Sequence, residues 1–345
     1  MKKSNKILRL IVCCMMLTGF FISCKGKEAK DDMDGVLSYL NFSESDYSNN
    51  AVGHSNALSI LAGRGFLNFA DSKRGLEIGA KVRFYDTLDA MLMSLHAGEI
   101  YTAGGFSQST AKYLVSKDKH LQLAYEYNFP ENIPETDVVP YIAKALAKEG
   151  FAFMLMKGNE GLRDQFDVVI DEMKKDGTLN KLVKTQITDV INGSEIILVN
   201  TESKPGRDTI KVAVTGDLPP MDYIAPDGTF AGFNTAVLAE IGKRLNKNIE
   251  MVQVANVGRA AALASGTVDV VFWTRTNAGE GVSNMSKVLA GGSAEDKSAM
   301  DRLTGSVTSD RTKHRQVIAK KDMPDNTIVT KAYFVDYPCA VMLKK

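Results

Sequence analysis

With 345 residues, 44% of them apolar and 24% charged, the chain can bury one large core or two modest ones. A formal net charge of +1 excludes the strongly basic face that nucleic-acid binding calls for. His54, His96, His120 and His314 are scattered without ligand-type spacing, so no metal centre or other cofactor is expected.

The amino terminus reads as an export leader. Lys2, Lys3, Lys6 and Arg9 form a basic start, and residues 10–21 are an apolar run too short to span a membrane as a helix. The run ends in Phe21-Ile22-Ser23-Cys24, a loose lipobox with Cys24 as the residue to be lipidated. Residues 1–23 are therefore expected to be a lipoprotein signal peptide, and 24–54 a tether; an ordinary cleaved signal or an N-terminal anchor are the alternatives. Removing 1–23 takes away four basic residues and leaves a net charge of −3. Cys13 and Cys14 go with the leader, so only Cys339 stays in the mature fold and no intramolecular disulfide can form. The localisation that follows is the cell envelope, facing the periplasm or exterior.

Residues 82–85 read as a short strand. Asp86 or Thr87 can cap a helix carrying Leu88, Met91, Leu92 and Leu95, which stops at Ala97-Gly98. Ile100 starts another strand, and Ser107 can cap a helix over 109–115. In 151–183, Leu162, Phe166, Val169, Ile170 and Met173 make one apolar helical stripe, stopped at Asp176-Gly177. Residues 191–208, with Lys204, Pro205 and Gly206, form a polar linker. Residues 210–233, IKVAVTGDLPPMDYIAPDGTFAGF, then give a strand, a Pro-Pro turn and an Asp227-Gly228 hairpin. A helix, the strand IEMVQV and the run RAAALASGTVDVVFW follow, the last being a helix turning into a buried parallel strand. LDAMLMSLHAGEIYTAGG repeats that helix–small–Gly–strand plan faintly. Residues 277–327 are rich in Ser, Gly, Asp and Lys and read as an insertion: a surface excursion, or a lid or docking element.

Residues 209–273 resemble the opening unit of the bacterial solute-binding proteins of family 3, the polar-amino-acid type. Residues 151–183 are similar to that family's last strand and C-terminal helix, through Lys157-Gly158, Leu162-Arg163-Asp164 and Asp176-Gly177-Thr178-Leu179. Residues 330–343 resemble its lobe-crossing strand, and 81–115 its lobe-2 middle. The resemblance implies an α/β, bilobal, periplasmic-binding-protein-like (type II) fold, with two parallel-sheet lobes and hinge strands. Each unit occurs once and in rotated order, so the chain reads as a circular permutation of one bilobal protein. Two truncated tandem lobes, each needing a partner chain, are the competing arrangement. Lobe 2 would span 55–150 and be completed by 328–345. Lobe 1 would span 151–276, with the C-terminal helix of the fold at 159–190, the linker at 191–208 and the opening unit at 209–276.

The implied function is capture of a small polar solute, an amino acid or related carboxylate, by a lipid-anchored monomer working with an ABC transporter permease. Ligand-binding residues are expected at the carboxyl ends of parallel strands. In lobe 1 these are Asp217, Met221, Asp222 and Tyr223, and in the loop after strand 268–272 they are Trp273, Thr274, Arg275 and Thr276. The family's arginine a few residues after its threonine is missing here, and Arg275 is the substitute for gripping a carboxylate. In lobe 2 the candidates are Phe106, Ser107 and Gln108. The family's ammonium-pairing aspartate is Phe106 here, and its aspartate near the strand start is Tyr101, which favours an anionic or aromatic solute over a zwitterion. The structural alternatives are core packing for Phe106 and a helix cap for Ser107. No acid–base pair or nucleophile–histidine set occurs in these loops, so no enzyme is expected. A surface scaffold or adhesin that has lost ligand binding is the other reading.

Overall fold

The computed structural model describes residues 33–37, 61–75, 81–201, 203–255, 258–277, 285–298 and 326–345. The leader, Cys24 and most of the insertion lie outside the described residues. In chain order the first half supplies β1 (Met33–Leu37), β2 (Leu67–Phe69), β3 (Lys81–Tyr85), β4 (Thr102–Ser107), β5 (Leu121–Leu123), β6 (Tyr125–Tyr127) and β7 (Glu149–Met156). The second half supplies β8 (Thr209–Val214), β9 (Asp217–Leu218), β10 (Asp222–Ile224), β11 (Phe230–Ala231), β12 (Asn248–Gln253) and β13 (Val270–Asn277). β14 (Thr327–Val329), β15 (Phe334–Asp336) and β16 (Pro338–Leu343) close the chain.

Two mixed sheets organise two α/β lobes. The first runs β3-β1-β4-β16-β5, with β3, β1 and β4 parallel and β16 antiparallel to both β4 and β5. The second runs β12-β8-β13-β7-β14, with β12, β8 and β13 parallel and β7 antiparallel to both β13 and β14. Both sheets follow one plan: second, first and third strands in parallel, then one antiparallel strand from the opposite half of the chain. β16 is the guest in the first sheet and β7 in the second. The faint echo between the two halves of the sequence therefore corresponds to a repeated topology.

The helices that the sequence predicts after Thr87 and in 159–190 form, for local reasons. Thr87 caps Leu88–His96 by accepting from the Ala90 amide (3.3 Å), and the helix buries Leu88, Met91 and Leu95 on one face. It ends at Gly98, whose φ of +69° is left-handed. Helix Glu160–Lys175 buries Phe166, Val169, Ile170 and Met173, and the chain continues through Thr178–Val183 into a π-helical turn, Lys184–Thr188. Burying a side chain such as Phe166 stabilises the fold by about 2–3 kcal/mol. β7 is covered on both faces. Phe151, Phe153 and Leu155 join the main core, while Met154 packs with Ala213, Leu263 and Val271.

Several expected boundaries move. Residues 33–37, placed in a solvated tether, form β1 at the heart of the first sheet, with Val36 and Leu37 buried. Gly35 makes this possible: a Cβ there would sit 2.4 Å from Ile100 Cδ1. The stretch Met33-Asp34-Gly35-Val36-Leu37 has its apolar residues broken by Asp34 and Gly35, so no strand pattern stands out in the sequence. Residues 328–336, assigned to lobe 2, pair instead with β7 in the second sheet, and β16 alone crosses over. Along each of the two strand orders four strands run the same way, and the strand inserted from the opposite half, β16 or β7, is antiparallel to both its neighbours. Within the insertion the described residues include helix Met285–Gly291; Val288 is buried, and Gly292 lies against Val138 of helix Val138–Ala147.

Two strands join the lobes side by side. β15 pairs with the start of β7, placing Asp336 opposite Glu149, and β16 begins two residues later. Among the described residues no helix is long and apolar enough to cross a membrane.

Candidate functional site

The turn after β8, through β9, lies against helix Leu88–His96, which follows β3 in the other lobe. After β8 the chain turns through Thr215-Gly216 into β9, passes the cis Pro219-Pro220 bond, and returns as β10 and β11. Asp222 holds this loop together. Its Oδ2 accepts from the Thr215 amide (2.9 Å), the Thr215 hydroxyl (2.7 Å) and the Gly216 amide (2.7 Å). Asp222 is 1% exposed, and burial pushes its carboxyl above the usual range although the three donors pull it back. Gly232 closes the other end of the loop with φ +97°, where a Cβ would meet Pro220 O at 2.8 Å.

Asp217 stands at the lip of this loop. Its Oδ1 is buried without a hydrogen-bond partner. Burial raises its carboxyl, while Arg259 and the backbone amide of Leu88 oppose the shift. Leu88 is the first residue of helix Leu88–His96 in the opposite lobe, and β9, which carries Asp217, packs against that helix. Arg259 begins helix Arg259–Ala264, is 1% exposed, and donates to Phe272 O (3.0 Å). Tyr223, half-buried on β10, comes near enough to Tyr113 of helix Gln108–Lys117 to add to the upward shift that burial gives that phenol.

The other predicted residues divide. Met221 has no exposed surface and packs in the main core. Phe106 is 1% exposed, paired with Cys339 in the first sheet, and also core. Ser107 is equally buried and caps helix Gln108–Lys117, accepting from the Thr110 amide (3.3 Å). Gln108 is buried too, and its backbone N–H donates to Tyr337 O (2.8 Å). As placed, Met221, Asp222, Phe106 and Ser107 have almost no surface to offer a solute. Thus Phe106 and Ser107 take the core and cap positions that the sequence left as alternatives. Trp273, Thr274, Arg275 and Thr276 were expected in a loop but belong to β13. Pairing with β7 prolongs the strand to Asn277 after a register shift between Val271 and Thr274. Such a bulge re-aims the chain at a sheet's end.

Sequence reasoning missed three participants. Arg259 was absorbed into an apolar helix, although a lone arginine at the start of an alanine run was a usable signal. Tyr113 was placed on a helix without a reason to face the cleft. Asp336 carried no local signal. Its Oδ2 accepts from the Ser109 amide (2.9 Å) and hydroxyl (2.7 Å), so a carboxylate on a crossing strand clasps the amino end of helix Gln108–Lys117. Among the described residues no group of three or more His, Cys, Asp or Glu side chains is arranged to hold a metal. The site holds one guanidinium, as buried as Asp222, two carboxylates of the β8–β10 loop, and the half-buried phenols of Tyr113 and Tyr223.

Comparisons with known proteins point the same way for one part of the chain. Solved structures similar to it include the ligand-binding component of an ABC-type import system from Staphylococcus aureus with zinc bound. That protein is 10% identical, with 90% of this chain and 65% of that one covered and a TM-score of 0.34. A phosphate-binding protein of a phosphate ABC transporter from Streptococcus pneumoniae is 9% identical, covering 90% and 88%, with a TM-score of 0.29. The periplasmic aliphatic sulphonate binding protein of Escherichia coli is 11% identical, covering 86% and 80%, with a TM-score of 0.27. The chain spans just under two thirds of the length of the Staphylococcus aureus import component. No curated protein sequence matches it. Residues 210–288, which carry Asp217, Asp222, Tyr223 and Arg259, match the profile of the bacterial extracellular solute-binding proteins, family 3.

Proposed function

We propose that this protein is the substrate-binding component of an ABC-type importer and closes its two lobes on a small carboxylate-bearing solute. The observation that carries this reading is the packing of β9, which holds Asp217, against helix Leu88–His96 of the other lobe, with Arg259 buried in the same lobe as β9. A guanidinium at the ends of parallel strands suits a carboxylate, and helix ends favour negative charge. Tyr113 and Tyr223 add aromatic faces. Neither carboxylate of this loop is exposed to pair an ammonium, because Asp222 Oδ2 is bound up in the loop and Asp217 Oδ1 is buried. That supports an organic acid over a zwitterionic amino acid. Lipidation at Cys24 would keep the protein at the membrane beside its permease.

The strand orders support a circular permutation. Reading 209–345 and then 33–191 visits one lobe, crosses on β16, fills the other lobe, and returns on β7. This is the order of a bilobal protein with its old ends joined through 191–208.

The test is a melting-temperature scan of the form beginning at Lys25 against amino acids, aromatic acids, dipeptides and other small acids. A solute at 100 times its Kd adds about 2.7 kcal/mol of stability. A reproducible rise with one class of acid is the expected result. A cooperative melt that no compound shifts would favour the scaffold reading, which draws its support from the buried state of Met221, Phe106 and Ser107.

A further inference from the structure

A second groove lies at the amino-terminal ends of β8 and β12, opposite the strand ends that face the cleft. It encloses about 530 Å³ between the linker, helix Phe233–Leu245 and the π-helical turn Lys184–Thr188. This size falls within the range of small-molecule sites.

Three features give the groove a chemistry. The first is charge. Lys204, Arg207, Lys243 and Lys247 line it against one carboxylate, Glu240. Glu240 is already taken by Arg244 (2.9 Å) and Lys243 (3.3 Å), and Lys247 is paired with Asp208 (2.9 Å). Among the described residues no carboxylate pairs with Lys204 or Arg207, which are left as cations for an incoming group, and their backbone is fixed. Asn248, 8% exposed, accepts from the Lys204 amide (2.8 Å) and donates to Lys204 O (3.1 Å) and Arg207 O (3.2 Å). The second feature is apolar surface: Ile197 and Leu198 are 50% and 51% exposed in the same wall. The third is Gln186. It is 4% exposed and lines the groove, and its Oε1 is buried with no hydrogen-bond partner. An acceptor buried without a donor costs free energy that a leucine would not. It sits in a π-helical turn, a distortion common at functional sites.

We infer that this groove is a second binding site, for a small organic anion with an apolar body and an N–H donor. Its acid group sits on Lys204 and Arg207, its apolar body on Ile197 and Leu198, and its donor meets Gln186 Oε1. This site is independent of the cleft and stands whether or not the cleft captures a solute.

Hippurate combines a phenyl ring, an amide N–H and a carboxylate, and is the probe. Calorimetric titration of the purified full-length protein is compared with hippuramide, which lacks the charge, and with the variants K204E/R207E and Gln186→Leu. Hippurate binds, and hippuramide and K204E/R207E each lose about tenfold or more in affinity, as expected for losing a charge-assisted contact. Gln186→Leu weakens hippurate while leaving the ligand-free Tm equal or higher. The inference is overturned if hippurate does not bind, or if K204E/R207E binds it as the wild type does. It is also overturned if Gln186→Leu lowers the Tm and leaves affinity unchanged, since the amide would then be satisfied by buried water. Binding that survives K204E/R207E but is lost in Tyr223→Ala would place the probe in the cleft and likewise overturn it.

Discussion

Replacing Asp222 by alanine separates a carboxylate that builds the cleft loop from one that binds a solute. One oxygen of this side chain takes three donors at 2.7–2.9 Å, and the alanine variant strands all three in a buried turn. Bonds to a charged acceptor contribute about 1.5–3 kcal/mol each, but removing the buried charge recovers part of that, so the net loss is about 3 kcal/mol. With an unfolding entropy near 2.1 cal/mol/K per residue, that loss lowers Tm by about 4–5 °C. Asp222→Asn keeps one acceptor oxygen and should fall between alanine and wild type. The pH dependence gives a second reading. The folded pKa lies above the unfolded value, so the native state holds the proton more tightly. Stability from this group is therefore fullest in acid and is lost as pH rises through the folded pKa. The asparagine variant does not titrate there, so the wild type's advantage over it shrinks from acid toward neutral pH. Thermal melts of the three proteins across pH test both points. If alanine melts like wild type yet abolishes the response to solute, Asp222 is a ligand residue and the reasoning fails.

Arg259→Met should fold nearly as well as wild type, since an apolar chain of similar volume replaces a buried charge, but bind a carboxylate solute about tenfold more weakly or worse. Titration calorimetry with the solute found by the melting scan decides it, and unchanged affinity would remove Arg259 from the site. A chain reordered to run 209–345, then 33–200, should fold with a Tm close to that of the natural order, as followed by circular dichroism. Failure of only the reordered chain would favour two separate truncated lobes. Cys339 is 1% exposed, and burial pushes its thiol up to about 12, so it should resist a thiol reagent in the native protein and react fully in urea. Rapid native labelling would show that β16 opens.

Much of this molecule was legible before any tertiary contact was known. The caps at Thr87 and Ser107, the stop at Gly177 and the hairpin at Asp227-Gly228 are local decisions, made by side chains reaching backbone within a few residues. The apolar period of 162–173 needs no partner to be read. Which loop residues carry the site was less legible, because exposure depends on what packs above. Met221 and Phe106 look like cleft residues by position and are core residues by contact.

The sequence by itself determined helices Leu88–His96, Gln108–Lys117 and Glu160–Lys175, the strand, turn and helix order of 209–273, and the family likeness of residues 210–288. Only the tertiary structure decided that residues 33–37 are a central strand and that β7 and β16 each complete the sheet of the opposite half. It alone decided that Asp336 clasps a helix 227 positions earlier in the chain, and that Asp217 meets Leu88. The reason is range. Capping and periodicity act over one or two turns of chain, whereas strand pairing and buried charge are settled between segments far apart in sequence, and their pattern leaves no mark on either segment alone.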